Sequence, residues 1–545
     1  MTLHGIGSVP GLRRWRAALA RHAGLLLVAL LLACGPAQSP SASPTQAAGP
    51  GGAPTQAAAA GAPATTTQSA APSEWVVGIA DEPPSLDPGT SPTIASATTA
   101  QLHVLDTLTS FVGQNLRLEG KLAESWKLID DRTWEFALRR GVKFQNGDDF
   151  TAKDVLYSMS VYRDERSPKH VYTEQIADVE QVDPYTVRIH TKDPNPTLFT
   201  SLAELPVLPS DAREKMGEEA FARQPIGTGP YRVVEFARGE RLVLERNPTY
   251  WGPPPEPARL ILRPITDPST RVAELKAGGV QIITGPPAAR LKELDQGDTE
   301  LIRLKGGRTI IYPFITKTKP FDDVRVRQAA NYAVDREAIV KSILEGYGEL
   351  LHGPFASSWL GYDPDLKPYP YDPAKAKQLL AEAGYPNGVD TVFNISNGVF
   401  LRDREIAEAM AAQLAEVGIR VQLVPTERAK LISDWLSGVA QGITSAQWGA
   451  AADPDPLQSW AFYKRPGHKP DEQLNDLIDQ TRRTVDAEQR KLLLQQFGRY
   501  VQDQAYWLFV HAQDEFYARR KGIPWEPTPD GQSYSNMRFY YTPGR

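Results

Sequence analysis

The sequence predicts a mixed α/β fold built from more than one domain. The chain has 545 residues, which exceeds the roughly 250–300 residues over which one hydrophobic core keeps growing. Short alternating runs typical of strands are interleaved with longer runs of helical periodicity. A helix starting near Arg404 leads through Gly418 directly into the run IRVQLVP. A helix that passes straight into a strand favours a parallel α/β layer.

Residues 1–33 read as a secretory signal peptide. A basic region precedes the apolar run LLLVALLLA, which is too short to cross roughly 30 Å of hydrocarbon as a helix. Cys34, the only cysteine, follows directly in LLAC. This arrangement resembles the lipobox of bacterial lipoproteins, which implies a diacylglycerol on Cys34 and cleavage ahead of it. The alternatives are a thiol discarded with the signal and, from Arg13 and Arg14, a twin-arginine signal.

Residues 34–73 are expected to form a disordered tether. After Cys34 this stretch contains no charged and no aromatic residue, so it cannot bury enough apolar surface to offset the entropy of ordering. No later segment has 18 consecutive apolar residues. We therefore expect a protein held by its lipid alone at the extracytoplasmic face of the cell membrane, in a periplasm or on the cell surface.

Strand and helix signals alternate in the first half of the folded part, and several strands are clear. Two alternating runs, YRVVEF and RLVLER, flank the short turn ARGE at 237–240, which predicts a β-hairpin around Gly239. Other runs rich in β-branched and aromatic residues predict single strands. These are EWVVGIA from Glu74, TWEFALR from Thr133, YTVRIH from Tyr185 and ARLILRPI from Ala258.

Helix signals dominate the second half. VRVRQAANYAVDREAIVKSILEG has apolar residues close to helical spacing and predicts one helix that Gly346 ends. In YDPAKAKQLLAEAGY, Asp372 stands at the N-cap, Pro373 at the first helical position and Gly384 just past the end. The run YWLFVHA, from Tyr506, predicts a strand that returns the chain to its first domain.

One long segment resembles a known family. LAESWKLIDDRTWEFALRRGVKFQNGDDFTAKDVLYSM, residues 122–159, is similar to the signature of family 5 extracellular solute-binding proteins, the dipeptide- and oligopeptide-binding lipoproteins of bacterial ABC importers. It reads as two strands joined near Arg140 and Gly141, a turn at Asn146–Gly147 and a helix capped by Thr151. Further blocks match in the same order: EPPSLDP at 82–88, PIGTGPYRV at 225–233, RNPTYWG at 246–252, VRQAANYAVDREAIV at 326–340 and WGAAADPDP at 448–456.

The resemblance implies a bilobed periplasmic-binding-protein-like fold (type II) with an extra small domain on the first lobe. It also implies a monomeric subunit that captures peptides or similar small solutes in an interlobe cleft and delivers them to permease subunits, with cytoplasmic ATPase subunits behind them. A net charge of −5 gives no reason to expect nucleic acid. The expected boundaries are 74–116, 204–305 and 505–545 for lobe I, 117–203 for its extra subdomain and 306–504 for lobe II.

The candidate ligand-binding residues are Glu82, Pro84, Trp448, Gly449, Asp453 and His511. The resemblance implies ligand contacts for the block of Glu82 and Pro84 and for the Trp448 segment. The alternatives are a solvated loop acid for Glu82 and a packing position in the core, instead of one facing the cleft, for His511. In peptide-binding relatives an Asp three residues after the Trp pairs with the ligand's terminal amine, but here that position is Ala451. Asp453 is the nearest carboxylate and is expected to face the cleft. Asp455 is expected to cap a helix that has Pro456 at its first position.

Two other readings of the same segment stay open. Asp453 and Asp455 stand two residues apart, within the range of glycosidase carboxylate pairs if the backbone is extended, so a secreted glycoside hydrolase is the alternative. A binder of oligosaccharides, metal chelates or haem is the other. The chain has no HExxH and no GxSxG motif, and we expect no enzyme activity, no cofactor and no protein-bound metal. Trp460 and Trp507 are expected to be packing residues.

Overall fold

The computed structural model describes residues 73–396, 399–449, 452–530 and 536–542. The predicted signal peptide, Cys34 and the tether up to residue 72 lie outside the described residues, as does Ala451. In the described part of the chain, no helix is both long enough and apolar enough to cross a membrane.

Strands are distributed over the whole described chain. They are β1 Glu74–Ile79, β2 Thr109–Val112, β3 Arg117–Gly120, β4 Ala123–Asp130, β5 Thr133–Leu138, β6 Ile176–Asp183, β7 Thr186–Thr191, β8 Tyr231–Ala237, β9 Arg241–Arg246, β10 Arg259–Pro264, β11 Ile282–Thr284, β12 Thr299–Pro313, β13 Glu349–Leu350, β14 Val389–Ile395, β15 Ile419–Pro425, β16 Ile443–Thr444, β17 Ala446–Gly449, β18 Trp507–Leu508, β19 His511–Arg520, β20 Thr528–Pro529 and β21 Met537–Arg538.

Helices occur along the whole described chain, and the longest ones lie in the second half, which the sequence predicts to be richer in helix. They are α1 Ala95–Val104, α2 Ala152–Tyr162, α3 Leu198–Leu202, α4 Ser210–Met216, α5 Glu218–Arg223, α6 Pro268–Ala277, α7 Leu291–Leu294, α8 Val324–Ala333, α9 Arg336–Ala338, α10 Pro373–Glu382, α11 Asp403–Glu416, α12 Arg428–Ser437, α13 Asp455–Ala461, α14 Glu472–Arg483 and α15 Ala487–Asp503. Single 3₁₀ turns occur at His170–Tyr172 and Ala288–Arg290, and a π-helical turn at Ile339–Ile343.

The largest sheet has ten strands and combines β1, near the start of the described chain, with β19, near its end. Its order is β17-β12-β19-β11-β1-β10-β9-β8, with β13 added on β19 and β18 on β12. Strand β1 runs parallel to both β10 and β11, whereas the other pairs are antiparallel. The return of the C-terminal segment to the first domain, predicted from YWLFVHA, is made by β19, which lies between β12 and β11.

Among the described residues there are four smaller sheets, and the two larger of these are formed by segments that lie between strands of the ten-stranded sheet in the sequence. The sheet β4-β5-β7-β6 is antiparallel throughout and lies within residues 123–191. The sheet β15-β14-β16 is parallel, and α11 connects β14 to β15. The predicted parallel layer and the mixed α/β class are therefore confirmed.

Local signals locate several elements correctly. The hairpin β8–β9 pairs Ala237 with Arg241, and Gly239 takes the left-handed backbone, φ +75°, that its turn requires. At the start of α10, the Asp372 carboxylate accepts a hydrogen bond from the Lys375 backbone N–H at 2.8 Å. Thr151 stands at the N-cap of α2, where its backbone N–H donates to Asp154 at 3.0 Å. These features depend on a few adjacent residues, which is why the sequence reveals them.

Two local predictions are wrong. The helix expected to run from Val324 to Gly346 is broken after Ala333, because the Asp335 carboxylate accepts from the backbone N–H of Ala338 at 2.9 Å and starts a new turn. In the family signature, the two strands are β4 and β5 and are joined at 131–132, not near 140–141. There the Asp130 carboxylate accepts from the Arg132 backbone N–H at 2.9 Å and closes the turn.

The two glycines of PIGTGPY allow a close approach between backbones. A Cβ at Gly227 would lie 2.0 Å from the carbonyl oxygen of Val104, at the end of α1, and one at Gly229 would lie 2.6 Å from the Val104 carbonyl carbon. The Gly229 backbone N–H donates to the Val104 carbonyl at 2.9 Å. The motif therefore fixes the end of α1 against the strand that follows.

We expect Gly227→Ala to lower the free energy of unfolding by about 1–3 kcal/mol, since an added methyl group must displace backbone. Gly498→Ala is the matched control. Its Cβ would meet nothing nearer than 3.9 Å, inside α15, so it should leave stability unchanged or raise it by up to about 1 kcal/mol. Urea unfolding followed by circular dichroism measures both; equal effects would contradict the close-approach interpretation.

Candidate functional site

A cavity of about 1200 Å³ lies between two walls from distant parts of the sequence. One wall comes from residues 171–201, in the segments that surround β6 and β7. The other comes from β12, the end of β14, α12, β17, α13 and α14. The cavity therefore spans the predicted extra subdomain and the predicted second lobe, and its size suits a ligand of several linked groups.

Tryptophan side chains form an aromatic surface on the second wall. Trp448 and Trp460 line the cavity with ring centroids 5.0 Å apart, and Trp460 meets the buried Trp435 edge-on at 4.6 Å. Strand β17 holds Trp448 opposite Thr309 of β12. Trp460 thus both packs and faces the cavity, whereas Trp507 is fully buried as expected. Such a surface supplies apolar contact area to a ligand.

Asp453 is buried and lies against a cation of the protein itself. Both of its oxygens accept from the Arg490 guanidinium of α15, the Nη2 bond to Oδ1 measuring 2.8 Å. Its Oδ1 also accepts from the backbone N–H of Asp455 at 2.9 Å. Burial alone lowers the pKa of Arg490, but attraction to Asp453 outweighs this and raises it above its usual value. The Asp453 charge is thereby compensated within the fold.

The predicted N-cap role of Asp455 is wrong. Pro454 stands at the N-cap, with φ −80° and ψ −6°, and Asp455 is the first residue of α13. The carboxylate that binds a free N–H at this helix start is that of Asp453. Asp455 instead lines the cavity, where it accepts from Arg482 Nε at 2.7 Å and from the Ser459 hydroxyl at 3.3 Å.

Glu82 and Pro84 contact the β8–β9 hairpin. Glu82 Oε1 accepts from the backbone N–H of Gly239 at 2.9 Å, and the carbonyl of Pro84 accepts from Arg238. Neither residue lines the cavity. In this structure they support the turn that joins β8 and β9.

His511 is fully buried at the start of β19, opposite Leu350 of β13. Within the described part of the chain, neither ring nitrogen has a hydrogen-bond partner, and burial lowers the pKa of the imidazole to about 3. It does not line the cavity. Of the six predicted ligand residues, the structure therefore brings Trp448 and Gly449 together at the cavity.

Charged residues that the sequence did not single out also line the cavity. Glu174 and Asp193 belong to the first wall, and Arg428 and Arg483 to the second. Each lies in a loop or at a helix end, and none belongs to a motif with a recognisable spacing. Over the described ranges, no group of three or more His, Cys, Asp or Glu residues is placed to hold a metal ion.

Comparison with known proteins identifies relatives over most of the chain. The family model of bacterial extracellular solute-binding proteins, family 5 middle, matches residues 117–469. The chain is 31% identical over 429 residues to heme-binding protein A of Haemophilus influenzae, covering 72% of this chain and 77% of that protein. It is 29% identical over 423 residues to the glutathione-binding protein GsiB of Escherichia coli (strain K12), and the match covers 72% of this chain and 80% of that protein.

A solved structure agrees with the fold as well. The periplasmic binding protein DppA of Helicobacter pylori, in complex with the peptide STSA, matches with a TM-score of 0.67 and 26% identity. The match covers 86% of this chain and 98% of that one. The similarity therefore extends well beyond the segment matched by the family model.

We expect Arg490→Met to lower the free energy of unfolding by about 3–5 kcal/mol, because it leaves the buried Asp453 charge unpaired. The double variant Arg490→Met/Asp453→Leu should recover most of this loss. Arg482→Met is the control, since its partner Asp455 is partly exposed and the loss should be about 1 kcal/mol or less. Denaturant unfolding measures all three. A small effect of Arg490→Met would mean that Asp453 does not depend on Arg490.

Stability should fall as the pH falls from about 6.5 towards 3, because the unfolded chain protonates His511 in this window and the folded chain does not. The contribution is up to about 1.4 kcal/mol per pH unit. His511→Leu should make the pH dependence shallower by that amount while leaving the variant folded at pH 7.5. Unfolding curves at a series of pH values measure it, and an unchanged slope would contradict the burial of a neutral imidazole.

Proposed function

The chain belongs to family 5 of the bacterial extracellular solute-binding proteins, and from this premise we propose that it captures a peptide or a similar small solute in its cavity and delivers it to an ABC permease. Its fold is the bilobed α/β fold of periplasmic binding proteins. Proteins of this family are substrate-binding components of ABC importers and act outside the cytoplasm.

The observation that carries the proposal is the position of the cavity. Its two walls come from segments far apart in the sequence, and the aromatic surface of Trp448 and Trp460 lies on one of them. A solute between such walls contacts both, so binding favours their approach. The relatives named above include binders of haem, glutathione and a peptide, so the family alone leaves the ligand of this chain open.

We propose that the lobes divide as the sequence suggests, with lobe I at 74–116, 204–305 and 505–545, its subdomain at 117–203 and lobe II at 306–504. Support comes from β12, whose register against β19 shifts between Leu304 and Arg308. A register shift disrupts the ladder locally and bends the strand. The proposed boundary at 305–306 falls inside this interruption.

Within the site, we propose that Trp448 and Gly449 contact the solute. Asp453 supports them indirectly, since its pairing with Arg490 fixes the position of Asp453, four residues after the end of β17. The ligand roles of Glu82, Pro84 and His511 stay predictions. The same pairing supports binding rather than hydrolysis, because Asp453 and Asp455 each lie against an arginine of the protein itself.

We also propose that Cys34 carries the lipid and that the tether lets the folded part work near the membrane as a monomer. Support comes from the LLAC sequence and from the composition of residues 34–73. The permease, with its ATPase subunits, is the proposed partner. Mass spectrometry of the protein purified from membranes tests the lipid on Cys34.

A binding screen tests the proposed function. Short peptides, cello-oligosaccharides, nickel chelates and haem are added separately, and the melting temperature of the protein is measured with each. A ligand at 100 times its dissociation constant stabilises the folded state by about 2.7 kcal/mol. We expect at least one class to raise the melting temperature and to bind one molecule per chain in calorimetry, without turnover. Release of products from the oligosaccharides would support the hydrolase instead.

Trp448→Ala should weaken binding of the solute found in that screen by about tenfold or more, since a central aromatic contact is lost. Trp126→Ala is the control. Trp126 is half-buried on β4 and does not line the cavity, so its loss should change stability without changing affinity at a temperature where both variants are folded. Calorimetry measures the dissociation constants; equal affinities would contradict the assignment of the Trp448 wall.

A further inference from the structure

Four arginines line the second wall of the cavity, and the protein itself pairs two of them. Arg308 lies 2.8 Å from the carboxylate of Glu515. Arg482 donates through Nε to Asp455 at 2.7 Å. Charges paired in this way have little attraction left for a ligand, so these two arginines are compensated within the fold.

The other two arginines are not paired. Arg428 is the first residue of α12 and Arg483 the last residue of α14, and both are exposed at the cavity. Among the described residues, neither has an acidic side chain within ion-pair distance. They are therefore the positive charges of this wall that remain available to a ligand.

The carboxylates of the same wall are already engaged. Asp455 is bound by Arg482, and Asp453, which is buried and does not line the cavity, is bound by Arg490. A third, Asp479, accepts a hydrogen bond from the Tyr463 hydroxyl at 3.3 Å. The wall that carries Trp448 thus offers no carboxylate without a partner of its own in the described part of the chain, in agreement with Ala451 standing at the relatives' amine-binding position.

The opposite wall has the opposite charge. Glu174 follows the 3₁₀ turn before β6, and Asp193 follows β7. Both are exposed at the cavity, and neither has a cationic partner among the residues that the structure describes. Asn195 and Thr200, more than nine-tenths buried, complete this wall with polar groups.

We propose that the cleft selects a linear zwitterionic solute, with its negative end at Arg428 and Arg483 and its positive end at Glu174 and Asp193. A short peptide with free termini is such a solute, and it would lie with its carboxylate, not its amine, on the side of Trp448. Complementary charge at both ends fixes the direction of the ligand and disfavours neutral or singly charged competitors. This inference names the substrate class of the cleft and rests on the proposed function.

Tri-, tetra- and penta-alanine, together with their C-terminal amides and N-acetyl forms, test the inference by calorimetry at low and moderate salt. At least one free peptide should bind. Its amide, which lacks the negative end, and its acetyl form, which lacks the positive end, should each bind about tenfold more weakly or worse, because each loses a charge-assisted contact. The difference should shrink as salt increases.

Variants locate each end of the ligand. In Arg428→Gln/Arg483→Gln, the free peptide should bind about tenfold more weakly, and the difference between peptide and amide should disappear. In Glu174→Gln/Asp193→Asn, the difference between peptide and acetyl form should disappear instead. Arg166→Gln/Arg223→Gln is the matched control, since it removes two exposed positive charges outside the cavity and should change neither difference.

Several outcomes would overturn the inference. One is an amide that binds as tightly as the free peptide, and another is an arginine variant that loses affinity equally for both. Binding of cellotetraose with no binding of any free peptide would also overturn it, while leaving solute binding intact. If no peptide, oligosaccharide, nickel chelate or haem binds, the proposed function fails as well.

Discussion

The pairing of β12 with β19 is the constraint on which the rest of the structure depends. The two strands run antiparallel from Thr299 opposite Arg520 to Thr309 opposite Ala512. Near Thr299, β12 is connected to β1 by the neighbouring strands β19 and β11. At its other end it supports β17. Strand β1 of the first domain and strand β17, which carries Trp448, therefore belong to the same ten-stranded sheet.

Side-chain hydrogen bonds form where the register between β12 and β19 shifts. The Gly306 backbone N–H donates to Asp514 at 3.0 Å, and Arg303 holds the same buried carboxylate. Gly306 has φ +60°, a left-handed conformation that favours glycine. A Cβ at Gly307 would lie 2.5 Å from the Glu515 side chain. The Asp514 carboxylate thus binds the backbone where the register shifts, which suits a connection between lobes.

Sequence reasoning worked where a few adjacent residues determine the structure. The Asp372 cap, the turn at Gly239 and the passage from α11 to β15 are of this kind. It also directed attention to Trp448, through a resemblance that covers most of the folded chain. It could not show that Asp453 is taken up by Arg490, 37 residues away, because nothing near either residue marks the pair. The charges of the cavity that stay unpaired among the described residues, such as Arg428 and Glu174, were missed for the same reason. Only the folded structure shows which charged side chains pair with each other and which stay available to a ligand.

The central claim is that a solute draws the two walls of the cavity together. The distance between nitroxide labels at Ser160 on α2 and Glu408 on α11, both exposed, measures this most directly, in a chain with Cys34 replaced by Ser. Electron paramagnetic resonance would be recorded without solute and with a saturating concentration of the solute that binds most tightly. We expect the distance distribution to shift to shorter values and to narrow when the solute is bound. Identical distributions with a solute shown to be bound would contradict closure of the cleft.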